Sequence, residues 1–199
     1  MEKGSLFVIS GPSGSGKDTI LKLLFEKKPE IKFSISTVTR PMRSPSETEK
    51  YNFTTRDEFE KMIENDLLLE YNQYCGNYYG TPKAPVLKAI DDGETVFIEV
   101  DVNGKNNICK KIHDAVTVFI MPPSVEVLKK RLVGRGTEDS EVVEKRMREA
   151  LNEISKACDY DYIVINDDLE KATADLACII DADKLKTKRN KQFLEEVLK

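Results

Sequence analysis

The chain has 199 residues, with 31 Lys and Arg against 35 Asp and Glu, and a formal net charge of −4. This length predicts one domain with a sizeable core, and the charge excludes a global field that would attract nucleic acid or an anionic membrane. Four scattered cysteines and one histidine argue against a zinc site or a disulfide framework, and favour free thiols in a reducing cytoplasm. No apolar run is long enough to span a membrane, and residues 1–4 lead into a predicted strand rather than a signal sequence.

The first predicted strand, at residues 6–10, leads into the phosphate-loop pattern G-x-x-x-x-G-K. The loop runs from Gly11 to Lys17, and a helix is predicted to begin near Asp18. Its glycines let the backbone point several N–H groups at an anion, and the helix N-terminus and Lys17 add positive charge. We therefore predict phosphate binding, with a plain glycine-rich turn as the alternative. Asp18 stands where Ser or Thr usually helps to hold magnesium, and Thr19 follows it.

The rest of the chain alternates predicted strands and helices. Strands are predicted at residues 33–38, 51–53, 67–74, 95–100, 115–121 and 162–165. Helices are predicted from the capping box at Thr55 and Glu58, from Ser124, from near Ser140 and from Leu169. The polar segment 44–50 is predicted to be a loop and residues 77–80 a turn. Thr81 and Pro82 are predicted to cap and begin a helix that ends near residues 92–93.

This alternation predicts an α/β fold with a mostly parallel, doubly wound sheet. The near-continuous apolar strands fit a sheet that is covered by helices on both faces. Ligands of such sheets bind at the carboxyl ends of the strands. Arg40, Asp101, Asn166 and the phosphate loop all follow predicted strands, so this edge is the predicted site.

Several side chains near this edge have both a chemical and a purely structural interpretation. Arg40 and Arg43 are spaced so that two guanidinium groups can converge on one phosphate, although both can equally be solvated in a loop. An ionised Glu70 in an apolar strand is costly without a partner. Asp101 can be a ligand, a turn former or a helix cap. Two aromatic residues are more often packing side chains than ligand contacts: Tyr51 and Tyr79.

Seven short segments together resemble the guanylate kinases, of the nucleoside monophosphate kinase branch of P-loop proteins. They are residues 9–17, 36–43, 76–81, 99–104, 122–124, 131–137 and 164–168. The resemblance covers about residues 6–180 and implies one domain over residues 1–199. It divides that domain into a core at about 1–33, 95–125 and 158–182, a GMP-binding insertion at about 34–92, a lid at about 131–157 and a charged tail at 183–199.

The resemblance also implies a role for each matching residue. ATP binding is implied for Gly11, Pro12, Ser13, Gly14, Ser15, Gly16, Lys17, Asp18, Thr19, Asn166 and Asp167. Binding of the GMP phosphate is implied for Arg40, Arg43, Tyr51 and Tyr79. Binding of the guanine base is implied for Ser36, Glu70, Thr81 and Asp101. The implied catalytic residues are Lys17, Arg40 and the lid arginines Arg131, Arg135 and Arg146.

The implied reaction is phosphoryl transfer from Mg-ATP to GMP, and also to dGMP, in purine nucleotide metabolism. We expect Asp18 to bind magnesium through a water molecule, or else to face away from a metal held by phosphates and water. The expected partners are ATP and GMP, with no nucleic acid or membrane, and the protein is expected to be a cytoplasmic monomer or homodimer. Two alternatives remain: a non-catalytic guanylate-kinase-like interaction module, and a related kinase with a different phosphorylated acceptor.

One segment departs from the family pattern. Residues 44–50 contain no glycine, and the segment is one residue shorter than the family usually has before the tyrosine at position 51. The placement of Tyr51 therefore depends on a connection that the resemblance does not describe. The charged tail at 183–199 also extends past the resemblance, and no function is assigned to it.

Overall fold

A computed structural model of the chain describes residues 3–49, 51–133 and 140–199. The strands in this part of the chain are β1 (Ser5–Ser10), β2 (Lys32–Phe33), β3 (Ser36–Val38), β4 (Tyr51–Phe53), β5 (Leu68–Tyr74), β6 (Asn77–Pro82), β7 (Thr95–Glu99), β8 (Val116–Met121) and β9 (Tyr162–Ile165). The α-helices are α1 (Lys17–Lys27), α2 (Arg56–Glu64), α3 (Lys83–Asp91), α4 (Val102–Lys111), α5 (Val125–Val133), α6 (Ser140–Ile154), α7 (Leu169–Lys184) and α8 (Lys191–Val197).

The main sheet has five strands in the order β2-β7-β1-β8-β9. The pairs β2–β7 and β8–β9 are parallel. All six residues of β1 are buried, and five of the six in β8 are. Apolar runs without polar alternation indicate strands that are covered on both faces, as predicted. The α/β fold with a mostly parallel sheet is confirmed.

The chain divides into two compact units. Unit 1 comprises Met1–Val8 and Ile31–Ala115, and unit 2 comprises Ile9–Glu30 and Val116–Lys199. Because the boundary crosses β1, neither unit corresponds to one continuous stretch of sequence.

Unit 1 contains a second, four-stranded sheet in the order β4-β3-β6-β5. In it β3 pairs parallel with β4, while the β3–β6 and β5–β6 pairs are antiparallel. The core of unit 1 is a fully apolar cluster formed by Leu6, Val8, Leu69, Val86, Val96, Ile98 and Ile108. This cluster joins strands of both sheets to α3 and α4, so the residues that follow these strands are held in place by packing.

Unit 2 packs helices around β8 and β9. Helix α1 contacts α7, and α5 contacts α6 through Leu128, Leu132 and Ala150. Phe119 of β8 meets Tyr160 edge to face, with ring centroids 5.1 Å apart. The phosphate loop therefore precedes a helix that is braced by its neighbour α7. Within the described residues, no helix is both long enough and apolar enough to cross a membrane.

Several local predictions for unit 1 were wrong. Residues 33–38 form two strands in two different sheets, because the chain leaves β2 after Phe33 and enters β3 at Ser36. Residues 77–80 belong to β6 rather than to a turn, and Thr81 and Pro82 end that strand before α3 begins at Lys83. The segment expected to be a loop contains a 3₁₀ helix at Pro45–Glu49.

The hairpin that joins β5 to β6 turns two residues earlier than the sequence indicated. Cys75 and Gly76 have φ angles of 48° and 77°, so both central residues of the turn are left-handed. Two left-handed residues match the right-handed twist of antiparallel strands. The turn was missed because cysteine is an unusual residue in this conformation.

Candidate functional site

The phosphate loop lies in unit 2 between β1 and α1. Gly16 is the N-cap residue of α1, with a φ of 88° in the left-handed region. A Cβ at this position would lie 2.2 Å from the side-chain nitrogen of Asn166. At Gly11, where φ is 150°, a Cβ would lie 2.3 Å from the carbonyl oxygen of Ile120. Only glycine fits at these two positions, as the predicted close wrapping of the backbone requires.

Lys17, the first residue of α1, points back along the loop. Its ammonium group donates a hydrogen bond to the carbonyl oxygen of Gly11, with a nitrogen–oxygen distance of 2.6 Å. The side chain therefore stays beside the glycine turns instead of extending into solvent. A cation held there can interact with phosphate oxygens that the loop N–H groups bind.

Two side chains from later in the chain hold the carbonyl oxygen of Ser15. Asn166, just after β9, donates its side-chain N–H to this oxygen at 2.7 Å. Arg131, in α5, donates to the same oxygen at 3.3 Å and to the carbonyl oxygen of Asn166 at 3.0 Å. Asn166 and Ser15 are both buried. This part of the loop is therefore fixed by polar contacts inside the protein.

A third side chain reaches the loop from α6. The guanidinium of Arg146 donates to the hydroxyl of Ser13 at 2.7 Å. The structure thus brings Arg131 and Arg146 to the phosphate loop, each through a different loop residue. Arg135, the other lid arginine of the sequence analysis, lies outside the described residues.

Three more of the residues assigned to ATP lie on the surface of unit 2. Asp18 and Thr19, in the first turn of α1, are exposed, and so is Asp167. Within the described part of the chain, no three His, Cys, Asp or Glu side chains form a group that could hold a metal ion. Mg²⁺ commonly binds through only one or two carboxylates together with substrate phosphates and water. A single exposed carboxylate next to the phosphate loop, that of Asp18, fits such a site.

In unit 1, Arg40 is held by an ion pair that the sequence analysis did not include. Its Nη2 and Nη1 atoms donate to the two carboxylate oxygens of Glu47 at 2.7 and 3.0 Å, and Nη1 also donates to the carbonyl of Pro41 at 3.0 Å. The guanidinium carbon lies 5.1 Å from the ring centroid of Tyr51 and 5.5 Å from that of Phe53. The side chain of Arg40 is only 8% exposed, so these partners fix its position.

Glu47 links both arginines of this cluster. Its carboxylate also accepts a hydrogen bond from the main-chain N–H of Arg43 at 2.7 Å. The hydrogen bonds from Arg40 and from this N–H lower the pKa of Glu47 to about 2. The hydrogen bond to Glu47, with a smaller contribution from the Tyr79 hydroxyl as an acceptor, raises the pKa of the Arg40 guanidinium. The side chain of Arg43 is exposed, so this residue enters the cluster through its backbone.

A second polar cluster of unit 1 surrounds Glu70. The hydroxyl of Thr81 donates to Glu70 Oε1 at 2.6 Å, across the β5–β6 pair. Glu70 is 7% exposed, and burial, with a smaller contribution from the charge of Asp101, raises its pKa. A Cβ at Gly104 would lie 3.1 Å from Glu70 Oε2. A small residue is thus packed beside the second carboxylate oxygen.

Asp101 is the N-cap of α4 and is bonded at both carboxylate oxygens. Oδ1 accepts the main-chain N–H of Gly104 at 2.7 Å, and Oδ2 accepts the side-chain N–H of Asn72 at 2.7 Å. The helix-cap interpretation, left open by the sequence, is therefore correct. Ser36, the remaining predicted guanine residue, is half-buried in β3 opposite Tyr51 of β4.

Two residues of these clusters were missed by sequence reasoning. Glu47 follows Arg43 by four positions in a segment whose helical turn was not predicted. A search for acidic residues within two helical turns of the arginines would have found it. Asn72 lies in β5 two residues after Glu70, on the same face of the strand. The period of a strand would have placed it beside Glu70.

Comparisons with known proteins agree with this architecture. A family model described as guanylate kinase matches residues 3–183. A protein named guanylate kinase from Carboxydothermus hydrogenoformans is 46% identical over 190 residues, which cover 95% of this chain and 93% of that protein. A guanylate kinase from Oceanobacillus iheyensis is 42% identical over 199 residues, covering 99% of this chain and 96% of that protein.

A solved structure gives the same result. The crystal structure of guanylate kinase from Anaplasma phagocytophilum superposes with a TM-score of 0.76 at 30% identity, covering 94% of this chain and 90% of that one. Sequence and fold agree over nearly the full length of the chain. The chain therefore belongs to the guanylate kinase family of enzymes.

Proposed function

We propose that this protein transfers the γ-phosphoryl group of Mg-ATP to GMP and dGMP, giving ADP and GDP or dGDP, and that it serves purine nucleotide metabolism. The observation that carries the proposal is the buried carboxylate of Glu70 in the same unit as the fixed guanidinium of Arg40. A base with two adjacent N–H donors can bind to the carboxylate of Glu70, and a phosphate group can bind to the guanidinium of Arg40. A nucleotide that carries both groups therefore matches the two clusters. The relatives named guanylate kinase support the same substrate.

Guanine suits the Glu70 cluster because of its donor pattern. An ionised Glu70 can accept hydrogen bonds from N1–H and from the 2-amino group of guanine. Thr81 already donates to one of its oxygens, which orients the carboxylate. Adenine lacks both donors in this arrangement and would leave a buried carboxylate unsatisfied, which is a strong basis for rejection.

The phosphate of the acceptor suits the Arg40 cluster. We assign to it the guanidinium groups of Arg40 and Arg43 and the hydroxyls of Tyr51 and Tyr79. The Tyr79 hydroxyl is close enough to Arg40 to contribute to the raised pKa of its guanidinium, and the Tyr51 ring lies beside the guanidinium. Planar guanidinium groups and hydroxyls together satisfy the oxygens of a dianion.

The phosphate loop of unit 2 suits the triphosphate of the donor. Loop N–H groups and the N-terminus of α1 bind phosphate oxygens, and Lys17 and the arginines of α5 and α6 add positive charge. Asp18 would hold magnesium through a water molecule, and the metal would supply further neutralisation of charge on the transferring oxygens. Asn166 and Arg131 keep the Ser15 carbonyl in place, so the loop is already shaped for its ligand.

The chemical step needs no general base. The second pKa of a phosphate monoester is about 6, so the acceptor is mostly dianionic near neutrality. Catalysis then consists of holding donor and acceptor in line and of stabilising charge on the transferring group. The charged side chains of this chain that do so are Lys17, Arg40, Arg131, Arg135 and Arg146 in our assignment.

The proposal is tested by coupled ADP release with five acceptors: GMP, dGMP, AMP, UMP and CMP. We expect turnover with GMP and dGMP and only background rates with the others. Turnover on AMP equal to that on GMP would overturn the guanine assignment. Absence of turnover with every acceptor, in protein that binds GMP, would favour a non-catalytic interaction module instead.

A further inference from the structure

The ion pair between Arg40 and Glu47 differs from the pair between Arg56 and Glu60, which also lies in unit 1. The side chains of Arg40 and Glu47 are 8% and 19% exposed, whereas those of Arg56 and Glu60 are 55% and 44% exposed. Both oxygens of Glu47 are used, each by a different guanidinium nitrogen. Paired hydrogen bonds of this kind fix an orientation as well as a distance. An exposed ion pair such as Arg56–Glu60 is weak, so it does little to fix the orientation or the position of its arginine.

The donors of Arg40 can be counted. A guanidinium has five N–H groups. Glu47 takes one from each Nη atom, and the carbonyl of Pro41 takes the second one of Nη1. The Nε–H and the second N–H of Nη2 are not used by Glu47 or Pro41; they lie on the other edge of the plane and point in parallel, and the hydroxyl of Tyr79 is a further acceptor for Arg40. Two parallel N–H groups are the arrangement that binds two oxygens of one phosphate.

We propose that Glu47 is a positioning residue, which orients Arg40 so that this remaining edge binds the phosphate of the acceptor nucleotide. The inference rests on the proposed function, because it assumes that the acceptor phosphate binds at Arg40. It adds a residue to which neither the family pattern nor the predicted site gave a role. Glu47 itself does not touch the substrate.

The anchoring of Glu47 indicates that it stays in place when the phosphate arrives. Besides Arg40 it holds the main-chain N–H of Arg43, and it lies within the 3₁₀ helix Pro45–Glu49. Its pKa of about 2 keeps it ionised near neutral pH. Displacement of Glu47 would break three hydrogen bonds to its carboxylate at once, two from Arg40 and one from the main-chain N–H of Arg43. A carboxylate that competed with the phosphate for Arg40 would not need the contact with Arg43.

Substitution of Glu47 separates positioning from a structural role. The Glu47→Gln variant keeps the shape of the side chain but places an amide N–H group against the guanidinium. We expect the KM for GMP to rise about 10- to 100-fold, which is the usual range for charged hydrogen bonds, with the KM for ATP unchanged. Guanosine, which has no phosphate, should bind the variant as it binds the parent protein. Glu47→Asp keeps the charge, but its side chain is too short to make all three hydrogen bonds. Its KM for GMP should therefore lie between that of the parent protein and that of Glu47→Gln.

The control is Glu60→Gln, which breaks the exposed pair with Arg56 and should leave the binding of both ligands unchanged. Unchanged or tighter GMP binding by both Glu47 variants would overturn the proposal, since it would mean that the carboxylate is idle or competes with the phosphate. Equal weakening of GMP and guanosine would also overturn it, in favour of a purely structural role. Failure of the parent protein to bind GMP would instead contradict the proposed function.

Discussion

The side-chain amide of Asn166 donates a hydrogen bond to the carbonyl oxygen of Ser15, at 2.7 Å and between two buried residues. The bond joins the end of β9 to the phosphate loop across 151 positions of sequence. The same carbonyl accepts a longer bond from Arg131. The loop is therefore shaped by a neighbouring strand end as well as by its own glycines.

Removal of the Asn166 amide is expected to weaken the binding of ATP. In Asn166→Ala a buried carbonyl loses its better donor, a change that typically costs about 1–3 kcal/mol. We expect the KM for ATP to rise roughly 5- to 100-fold, with the KM for GMP unchanged. Steady-state kinetics with each substrate varied in turn measures both. An unchanged KM for ATP in a folded variant would show that the loop holds its shape without this bond.

Removal of the charge of Lys17 is expected to slow turnover. The ammonium lies beside the loop, bonded to the carbonyl of Gly11, where it can follow the phosphoryl group during transfer. Loss of one such electrostatic group typically lowers kcat by about 10²–10³. Lys17→Met should show this loss in the coupled assay. Lys22→Met, which changes an exposed lysine of the same helix, should retain parental turnover.

Guanosine binding should depend on the ionisation of Glu70. Burial raises the pKa of this carboxyl, so the protonated form persists at a higher pH than for an ordinary glutamate. Because guanine donors require the carboxylate, affinity should increase as the pH rises through this raised pKa. Calorimetric titration with guanosine avoids the ionisation of a phosphate. A flat pH profile would mean that Glu70 does not bind the base.

The ionisation of Glu70 should also affect protein stability, but with the opposite pH dependence to guanosine binding. Between the ordinary pKa and the raised one, the folded protein binds more protons at Glu70 than the unfolded chain does. The contribution of this group to the free energy of unfolding should thus decline as the pH rises through the folded pKa. In Glu70→Gln both this decline and the pH dependence of guanosine binding should disappear. Urea unfolding at several pH values measures how the free energy of unfolding declines with pH.

Asp101 should contribute to stability as a helix cap. Its carboxylate accepts the N–H of Gly104 in the first turn of α4. Replacement of such a cap by alanine costs about 0.5–2 kcal/mol, whereas asparagine is an equally good cap. Urea unfolding should therefore show a loss of about 1 kcal/mol for Asp101→Ala and much less for Asp101→Asn. Equal stability of the two variants would exclude the capping role.

The sequence predicted best what depends on local pattern. The phosphate loop, the capping box of Thr55 and Glu58, and the buried strands β1 and β8 follow from spacing and hydrophobicity over a few residues. The α/β architecture then follows from the alternation of such elements. Asp101 and Asn166, which were predicted to follow strands, lie just after β7 and β9.

What the sequence missed depends on contacts between distant residues or on unusual turns. The left-handed Cys75 moves the β5–β6 hairpin by two residues relative to the expectation, because a cysteine gives no turn signal. The Arg40–Glu47 pair depends on a 3₁₀ helix in a segment that departs from the family pattern. The bond of Asn166 to Ser15 needs two elements to meet in space, which periodicity cannot show.

The most direct test of the account is the product balance of a single reaction mixture. Protein is incubated with Mg-ATP and GMP, and the nucleotides are followed by ³¹P NMR. The account predicts that ADP and GDP appear in equal amounts and that Lys17→Met slows both together. ADP formed without GDP, or GDP formation unaffected by Lys17→Met, would contradict it.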